Sequence, residues 1–324
     1  MTTTTTTITI PAVTLTLEHD RNRLAASARA GDILRVRRGA YCPPDQIQAE
    51  GPGRAYQEAR RLALARISAL HTQLRADHVF GHVSAALLLG LRLWTMPTVT
   101  HVYQRYRASA HAAADVRRHA WTISAQDVAV ASGIPVTSLA RTVVDCARTL
   151  HPLEALVITD SALAMGLVRE TLLEVLAATP DRRGTRRARR VIELADAGAQ
   201  SAWETWVRYE ILRRGLPRPV TQMPVRTAAG VFHTDLGYDR WALGIEFDGR
   251  VKYRPDGVRP GHDPAQEYLD EKARADAIRQ AGFTIESVSA SDRRDVPAMI
   301  ARFVRHLPRD AVDAARPDPL LRPS

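Results

Sequence analysis

The sequence predicts a multidomain chain of mixed α+β and α/β class, with a helix-rich first half and a C-terminal core ordered helix, three strands, helix, strand. Three observations lead there. At 324 residues the chain has room for two or three domains with their own cores. Helix-type segments dominate residues 56–180, whereas strand-type segments cluster after Ala199. An arginine-rich stretch over residues 181–198 separates the two as a linker or helix.

Residues 1–14 are a Thr-rich lead-in, expected to be disordered. They lack the positive n-region and continuous apolar core of a secretory signal. No run of about 18 apolar residues suggests a membrane span, and the expected location is cytoplasmic. Cys42 and Cys146 form no Cys-x-x-Cys pair, which argues against a structural zinc site and a disulfide scaffold.

Glu18 to Ala30 suits a short helix. Ile33 to Tyr41 then alternates apolar and basic residues until Pro43-Pro44 stops it, as a hairpin or wing would. Arg35 and Arg37 share a face of that strand. They suit contact with nucleic-acid phosphates, although a solvated face in an arginine-rich protein looks the same. Helices are expected from Tyr56, over His82 to Leu91, and from Thr137 with a Thr or Ser cap. Strands are expected over Thr100 to Tyr103 and Asp127 to Ala131. His78, His82 and His101 have no acidic partner pattern and read as packing or surface residues rather than ligands.

Net charge is +10 and the pI about 10.2, which favours an anionic partner, nucleic acid first. Only Lys252 and Lys272 are lysines, a skew toward arginine that a GC-rich genome also produces. Arg186, Arg187, Arg189 and Arg190 concentrate this charge and are candidates to grip phosphates, or else the start of a solvated helix.

Three segments, Leu34 to Tyr41, His82 to Leu87 and Thr137 to Asp145, resemble the AbiEi family of type IV antitoxins. The resemblance implies a truncated winged-helix-like segment at 15–50 and an AbiEi-like mixed domain at 56–180. It also implies DNA binding, repression of the protein's own operon and a nucleotidyltransferase-like toxin partner encoded nearby. A full winged helix has about three helices before the wing; one fits here. An interaction role in phage defence without direct DNA contact is a third possibility.

From Ser201 the pattern changes. Ser201-Ala202-Trp203-Glu204 opens a helix that stops at Gly215-Leu216-Pro217. Strands follow at Thr221 to Val225, Val231 to Leu236 and Ala242 to Asp248. A helix over Ala265 to Ala281 and a strand over Phe283 to Val288 come next. In the third strand Leu243, Ile245 and Phe247 face a core, so Glu246 and Asp248 project from the other side. Asp235 is their cross-strand neighbour. Crowded carboxylates call for a cation, and Mg2+ suits such a donor set and would activate a water on a phosphodiester.

Asp235 with Glu246-x-Asp248-Gly249 resembles the PD-(D/E)XK superfamily, in particular very-short-patch-repair (Vsr-like) endonucleases. The resemblance implies a restriction-endonuclease-like core at 199–307, followed by a flexible tail at 308–324. It further implies Mg2+ on Asp235 and Glu246 with Glu204 or Asp248 assisting, and phosphodiester hydrolysis in DNA. Asp248 occupies the expected lysine position, leaving Lys252 or Lys272 to polarise the phosphate. Glu204 has a second reading as half of a capping box with Ser201, and Asp248-Gly249 as a plain turn. His233 lies two residues before Asp235 on the same face, as a phosphate contact or a polar packing residue.

Overall fold

The computed structural model describes residues 8–16, 20–51, 53–105, 113–120, 123–248 and 264–322. The chain forms two compact units, Met1–Thr149 with Glu170–Arg183, and Leu150–Arg169 with Gly184–Ser324. Both mix helices and sheet, in keeping with the expected class.

In the first unit, β1 (Thr14–Leu15) precedes α1 (Arg21–Ala30), whose N-terminus Asp20 caps by accepting from Asn22 N–H. The helix expected over Glu18 to Ala30 is therefore seen from Arg21; residues 17–19 lie outside the described ones. β2 (Leu34–Arg37) and β3 (Ala40–Cys42) form the expected hairpin, and Gly39 at φ 74° turns it. β1 joins it in the order β1-β3-β2. Val36, Ala40 and Cys42 are buried against Ala65 and Ala69 of α2 (Arg54–Gln73), which fixes the hairpin to the long helix.

A five-stranded sheet follows, in the order β6-β5-β4-β8-β7. It contains β4 (His78–Phe80), β5 (Thr100–Gln104), β6 (Val116–Ala120), β7 (Val128–Ala131) and β8 (Ile134–Thr137). β4 pairs antiparallel with β5 and parallel with β8, and β5 is parallel to β6. β7 and β8 form a hairpin through Ser132 and Gly133, both at positive φ as a two-residue hairpin turn requires. α3 (His82–Leu88) packs against β5 and β8, and α4 (Leu139–Thr149) packs on α3. β4, β6 and β8 are additions to the sequence reading. β4 and β8 are short and largely buried, so neither alternates cleanly; β6 carries Arg117 and Arg118 in its middle.

α5 (Pro152–Ala164) belongs to the second unit, and α6 (Arg169–Ala178) lies almost wholly in the first. The arginine-rich stretch is helical as α7 (Thr185–Leu194). It buries Ala188, Val191, Ile192 and Leu194, and packs on α5. α8 (Ala202–Leu212) starts at Ser201, whose hydroxyl accepts from Glu204 N–H at 3.1 Å. Gly215 at φ 72° and Pro217 prevent its continuation. β9 (Val220–Thr227), β10 (Gly230–Tyr238), β11 (Leu243–Phe247), α9 (Pro264–Gln280) and β12 (Thr284–Val288) follow in the expected order. Their sheet runs β12-β11-β10-β9, antiparallel except for the parallel β11–β12 pair that α9 connects.

This sheet is covered on both faces. Phe247 stacks on Trp203 of α8 at 4.8 Å between ring centroids. On the other side Ile278 of α9 packs with Met223, Val225, Phe232 and Ile285. The segment expected as a flexible tail is instead packed. It forms α11 (Arg309–Asp313) after α10 (Val296–Val304), and then brings Leu321 into the core of the unit. Leu321 carbonyl accepts from Tyr209 hydroxyl at 2.7 Å, and Asp318 pairs with Arg190 at 2.6 Å. Leu320 and Leu321 stand together among arginines, aspartates and prolines and give no periodic signal, which is why the stretch reads as a tail.

Arg208 of α8 and Asp160 of α5 are both fully buried and form an ion pair at 2.5 Å. Asp160 also accepts from Thr205 hydroxyl and Asp196 N–H, while Arg208 donates to Leu194 carbonyl. Burial pushes the Asp160 carboxyl upward, and Arg208 opposes that shift. Cys42 and Cys146 are both buried and not joined in a disulfide. Among the described residues, no helix is long and apolar enough to cross a membrane.

Removing one member strands the other charge in the interior, so Asp160→Ala is expected to cost roughly 3–5 kcal/mol in urea unfolding. Replacing both, as Asp160→Leu with Arg208→Met, restores much of that loss. A single substitution costing under about 1 kcal/mol contradicts the assignment.

Candidate functional site

The first unit contains a cavity of about 300 Å³ whose lining includes His82, Tyr103, His119, Arg141, Asp145 and Arg148. β5 and β6 supply Tyr103 and His119, α3 supplies His82, and α4 the rest. On α4, Arg141 and Asp145 are four residues apart and therefore neighbours on one face. The Arg141 Nε donates to both Asp145 oxygens at 3.0 Å, and Tyr103 hydroxyl donates to Asp145 Oδ2 at 2.7 Å. A further contact links Arg141 to Asp127 at 3.4 Å. Asp145 is only 2% exposed. Desolvation pushes its carboxyl up, and Arg141, with Tyr103, works against that rise. Desolvation and the Asp145 charge together raise the Tyr103 phenol, which therefore stays protonated as a donor. Arg148 is held at the rim by the Asp181 carbonyl at 2.6 Å and its carboxylate at 2.8 Å.

Backbone geometry aims these groups. A Cβ on Gly81 would lie 2.4 Å from the Tyr103 ring, so only glycine lets that ring cross the chain here. Next to it, His82 sits at φ 50°, a left-handed conformation that costs a non-glycine residue of the order of 1–3 kcal/mol. His82 stacks on His119 with ring centroids 4.1 Å apart, and His101 Nδ1 lies 3.0 Å from His119 Nε2. One nitrogen from each of His82, His101 and His119 lies within 4.8 Å of the other two. Desolvation lowers all three rings, His101 and His119 to about 4 and His82 well below its ordinary value, so they are neutral at pH 7.

The sequence reading considered His78, His82 and His101 together and set them aside as ligands; the structure groups only the last two. His78 contacts His71, 2.8 Å between ring nitrogens, and is not part of this group. His119 was missed. Its signal lies in the parallel β5–β6 register, Tyr103↔His119 and His101↔Arg117, which brings it beside His101 only once the pairing is known.

In the second unit the acidic residues have other occupations. The β10–β11 ladder runs from Tyr238↔Leu243 to Leu236↔Ile245, and beyond it Asp235 Oδ2 accepts from Phe247 N–H at 2.8 Å. Both Glu246 oxygens are taken by Arg274 of α9, at 2.5 and 3.3 Å. Arg274 also reaches His233 carbonyl. The face expected to present Glu246 openly is thus covered by α9, and the cation that meets it is an arginine. Lys272 is exposed, two residues and about half a helical turn from Arg274, so it does not face the cluster. Lys252 and Gly249 lie outside the described residues. Asp248 is exposed, and its N–H donates to Val288 carbonyl. Glu204 accepts from Gln200 N–H at 2.8 Å and from the Gln222 amide at 3.5 Å, while its own N–H is capped by Ser201. This is a helix-start arrangement, with the carboxylate bonded one residue earlier than the Ser201 N–H expected. With Glu246 committed to Arg274, the donor set as arranged does not fit Mg2+.

The candidate arginines divide. Arg35 is exposed on β2, whereas Arg37 is pinned to Asp115 at 3.1 Å and to Gln73 at 2.7 Å. On α7, Arg186 and Arg189 are exposed, Arg187 is half-buried, and Arg190 is paired with Asp318 and Glu193. α1 has no buried residue and exposes Arg21, Arg23 and Arg29, none of which the sequence reading selected.

An unfolded histidine titrates near 6.5 and these folded ones lower. The unfolded chain therefore takes up protons first as pH falls. In chelator-treated protein, unfolding free energy should drop as pH falls from about 6.5 to 4, by up to about 3 kcal/mol per ring. His119→Asn should flatten that slope. An identical slope in the variant would show that the rings titrate normally when folded.

Residues 65–194 match the family model for the AbiEi antitoxin C-terminal domain, a span that contains the cavity and the five-stranded sheet. Two curated relatives from Mycobacterium tuberculosis are each 31% identical over 181 residues, covering 55% of this chain. They are "Uncharacterized protein MT2308" of strain CDC 1551 / Oshkosh and "Uncharacterized protein Rv2248" of strain ATCC 25618 / H37Rv. The chain spans 64% of the length of these relatives. No solved structure matches. The middle of the chain is therefore similar to an AbiEi antitoxin domain.

Proposed function

We propose that this protein is a DNA-binding regulator of AbiEi antitoxin type, acting with a nucleotidyltransferase-like toxin. The match of residues 65–194 to the antitoxin domain carries this reading. The N-terminal elements support it. α1 exposes Arg21, Arg23 and Arg29, and the hairpin after it exposes Arg35 and Arg38, while Val36 anchors that hairpin to α2. A basic helix beside a basic hairpin suits the division of labour in helix-and-wing readers, where the helix approaches a groove and the hairpin lies along phosphates. Arg37 serves the scaffold in this reading, and the net charge of +10 adds steering. Arg186 and Arg189 extend the phosphate-contacting set.

A second reading is a Vsr-like, Mg2+-dependent endonuclease centred on Asp235 and Glu246. The order helix, three strands, helix, strand favours it. It requires Arg274 to leave Glu246 so that a metal can replace the guanidinium.

A gel-shift titration against the protein's own upstream DNA tests the first reading. Arg21→Ala, Arg23→Ala and Arg35→Ala should each weaken binding and reduce the salt slope by about 1. With Mg2+ present the DNA should remain intact. Binding unaffected by all three substitutions would contradict it, and Mg2+-dependent cleavage lost in Glu246→Gln would establish the second reading instead.

A further inference from the structure

The hydrogen-bond donors around His82 leave a specific deficit. Thr149 hydroxyl donates to Asp145 carbonyl at 2.7 Å, and Tyr103 hydroxyl donates to Asp145 Oδ2 at 2.7 Å. Both hydroxyls have thus spent their single proton and turn lone pairs toward His82, whose Nδ1 is 3.3 Å from Thr149 Oγ1 and Nε2 3.4 Å from Tyr103 Oη. A neutral imidazole has one N–H and one lone pair. Its N–H can satisfy one of these neighbours, and its remaining lone pair then faces no donor among the described residues. His101 Nδ1 and His119 Nε2, 3.0 Å apart, share one hydrogen bond in which one ring donates and the other accepts, so a cation bound between them takes the place of that proton.

We propose that His82, His101 and His119 form a binding site for a divalent transition-metal ion, zinc first, with its fourth position open to the adjoining cavity. Among the described residues they are the group of three whose ligand atoms lie close enough together, within 4.8 Å. Ligands about 2.0–2.1 Å from a tetrahedral zinc stand roughly 3.3 Å apart, so small ring movements close the site. The rings come from the start of α3, from β5 and from β6, and two of the three sit in a regular ladder that fixes their spacing. Three protein ligands and one open position is the arrangement of a reactive rather than a purely structural zinc site. His82 and His119 line the cavity, as do Arg141 and Arg148, so water or a small anion has access to that position. Asp145, reaching His82 through Tyr103, supplies the outer carboxylate that orients such a ligand.

The test uses the full chain, free of any histidine tag and stripped with a chelator. It is titrated with Zn2+ in competition with a chromophoric chelator, and in parallel with Co2+ followed by its visible absorption. One ion per chain and the absorption of tetrahedral Co2+ are expected. His119→Gln should weaken uptake at least tenfold, while His71→Gln, outside the group, should leave it unchanged. His119→Cys keeps a ligand at that position. It should retain uptake and add a thiolate-to-cobalt charge-transfer band, a gain that an unfolded variant would not show. No stoichiometric uptake by the wild type, equal uptake in His119→Gln, or no charge-transfer band in His119→Cys would overturn the assignment.

Discussion

Everything around the cavity depends on keeping the Asp145 carboxylate satisfied away from water. An isolated buried charge is strongly unfavourable, so the fold must bring a cation and hydrogen-bond donors to it. Arg141 arrives because it is one helical turn away on α4, and Tyr103 because Gly81 leaves room for its ring. Once Tyr103 is committed to Asp145, His82 is committed to the gap left by Tyr103 and Thr149, and His119 stacks on His82. The second unit repeats the principle with Asp160 and Arg208, but there the pair is sealed by Thr205 and backbone groups. One network is closed and the other opens onto a cavity, which is the difference between a packing device and a site.

The acidic residues of the second unit show how similar chemistry can be put to structural use. Asp235 replaces a missing ladder bond, and Glu246 is neutralised by Arg274. A guanidinium seated on both oxygens already neutralises the carboxylate, so a hard cation would have to displace it. The crowding of Asp235 and Glu246 that the sequence announces is therefore relieved from within the chain. Exposed basic side chains of α1 and the hairpin after it instead suit an anionic polymer.

The C-terminal elements were legible because their large apolar residues alternate with small or charged ones, as Leu243, Ile245 and Phe247 do along β11. The helix stop at Gly215 was equally plain. Chains buried on both faces give no such alternation, and so β4 and β8 were not read. Site residues were legible only where a local pattern encoded them. Glu246 and Asp235 stand out by neighbours in sequence, whereas Arg274 meets Glu246 across 28 residues and His119 meets His101 across 18. Arg37 illustrates the opposite error. Its alternation with Arg35 suggested a shared role, but a bulge between them and the carboxylate of Asp115 separate their fates.

A double-mutant cycle on Arg141→Met and Asp145→Leu, read by urea unfolding, addresses the central constraint directly. If the buried charge organises the unit, each single change strands its partner and the double change costs clearly less than their sum. A coupling of roughly 2–3 kcal/mol is expected. Additivity within about 0.5 kcal/mol would show that the two side chains act independently, and that the cavity is held together by something other than this pair.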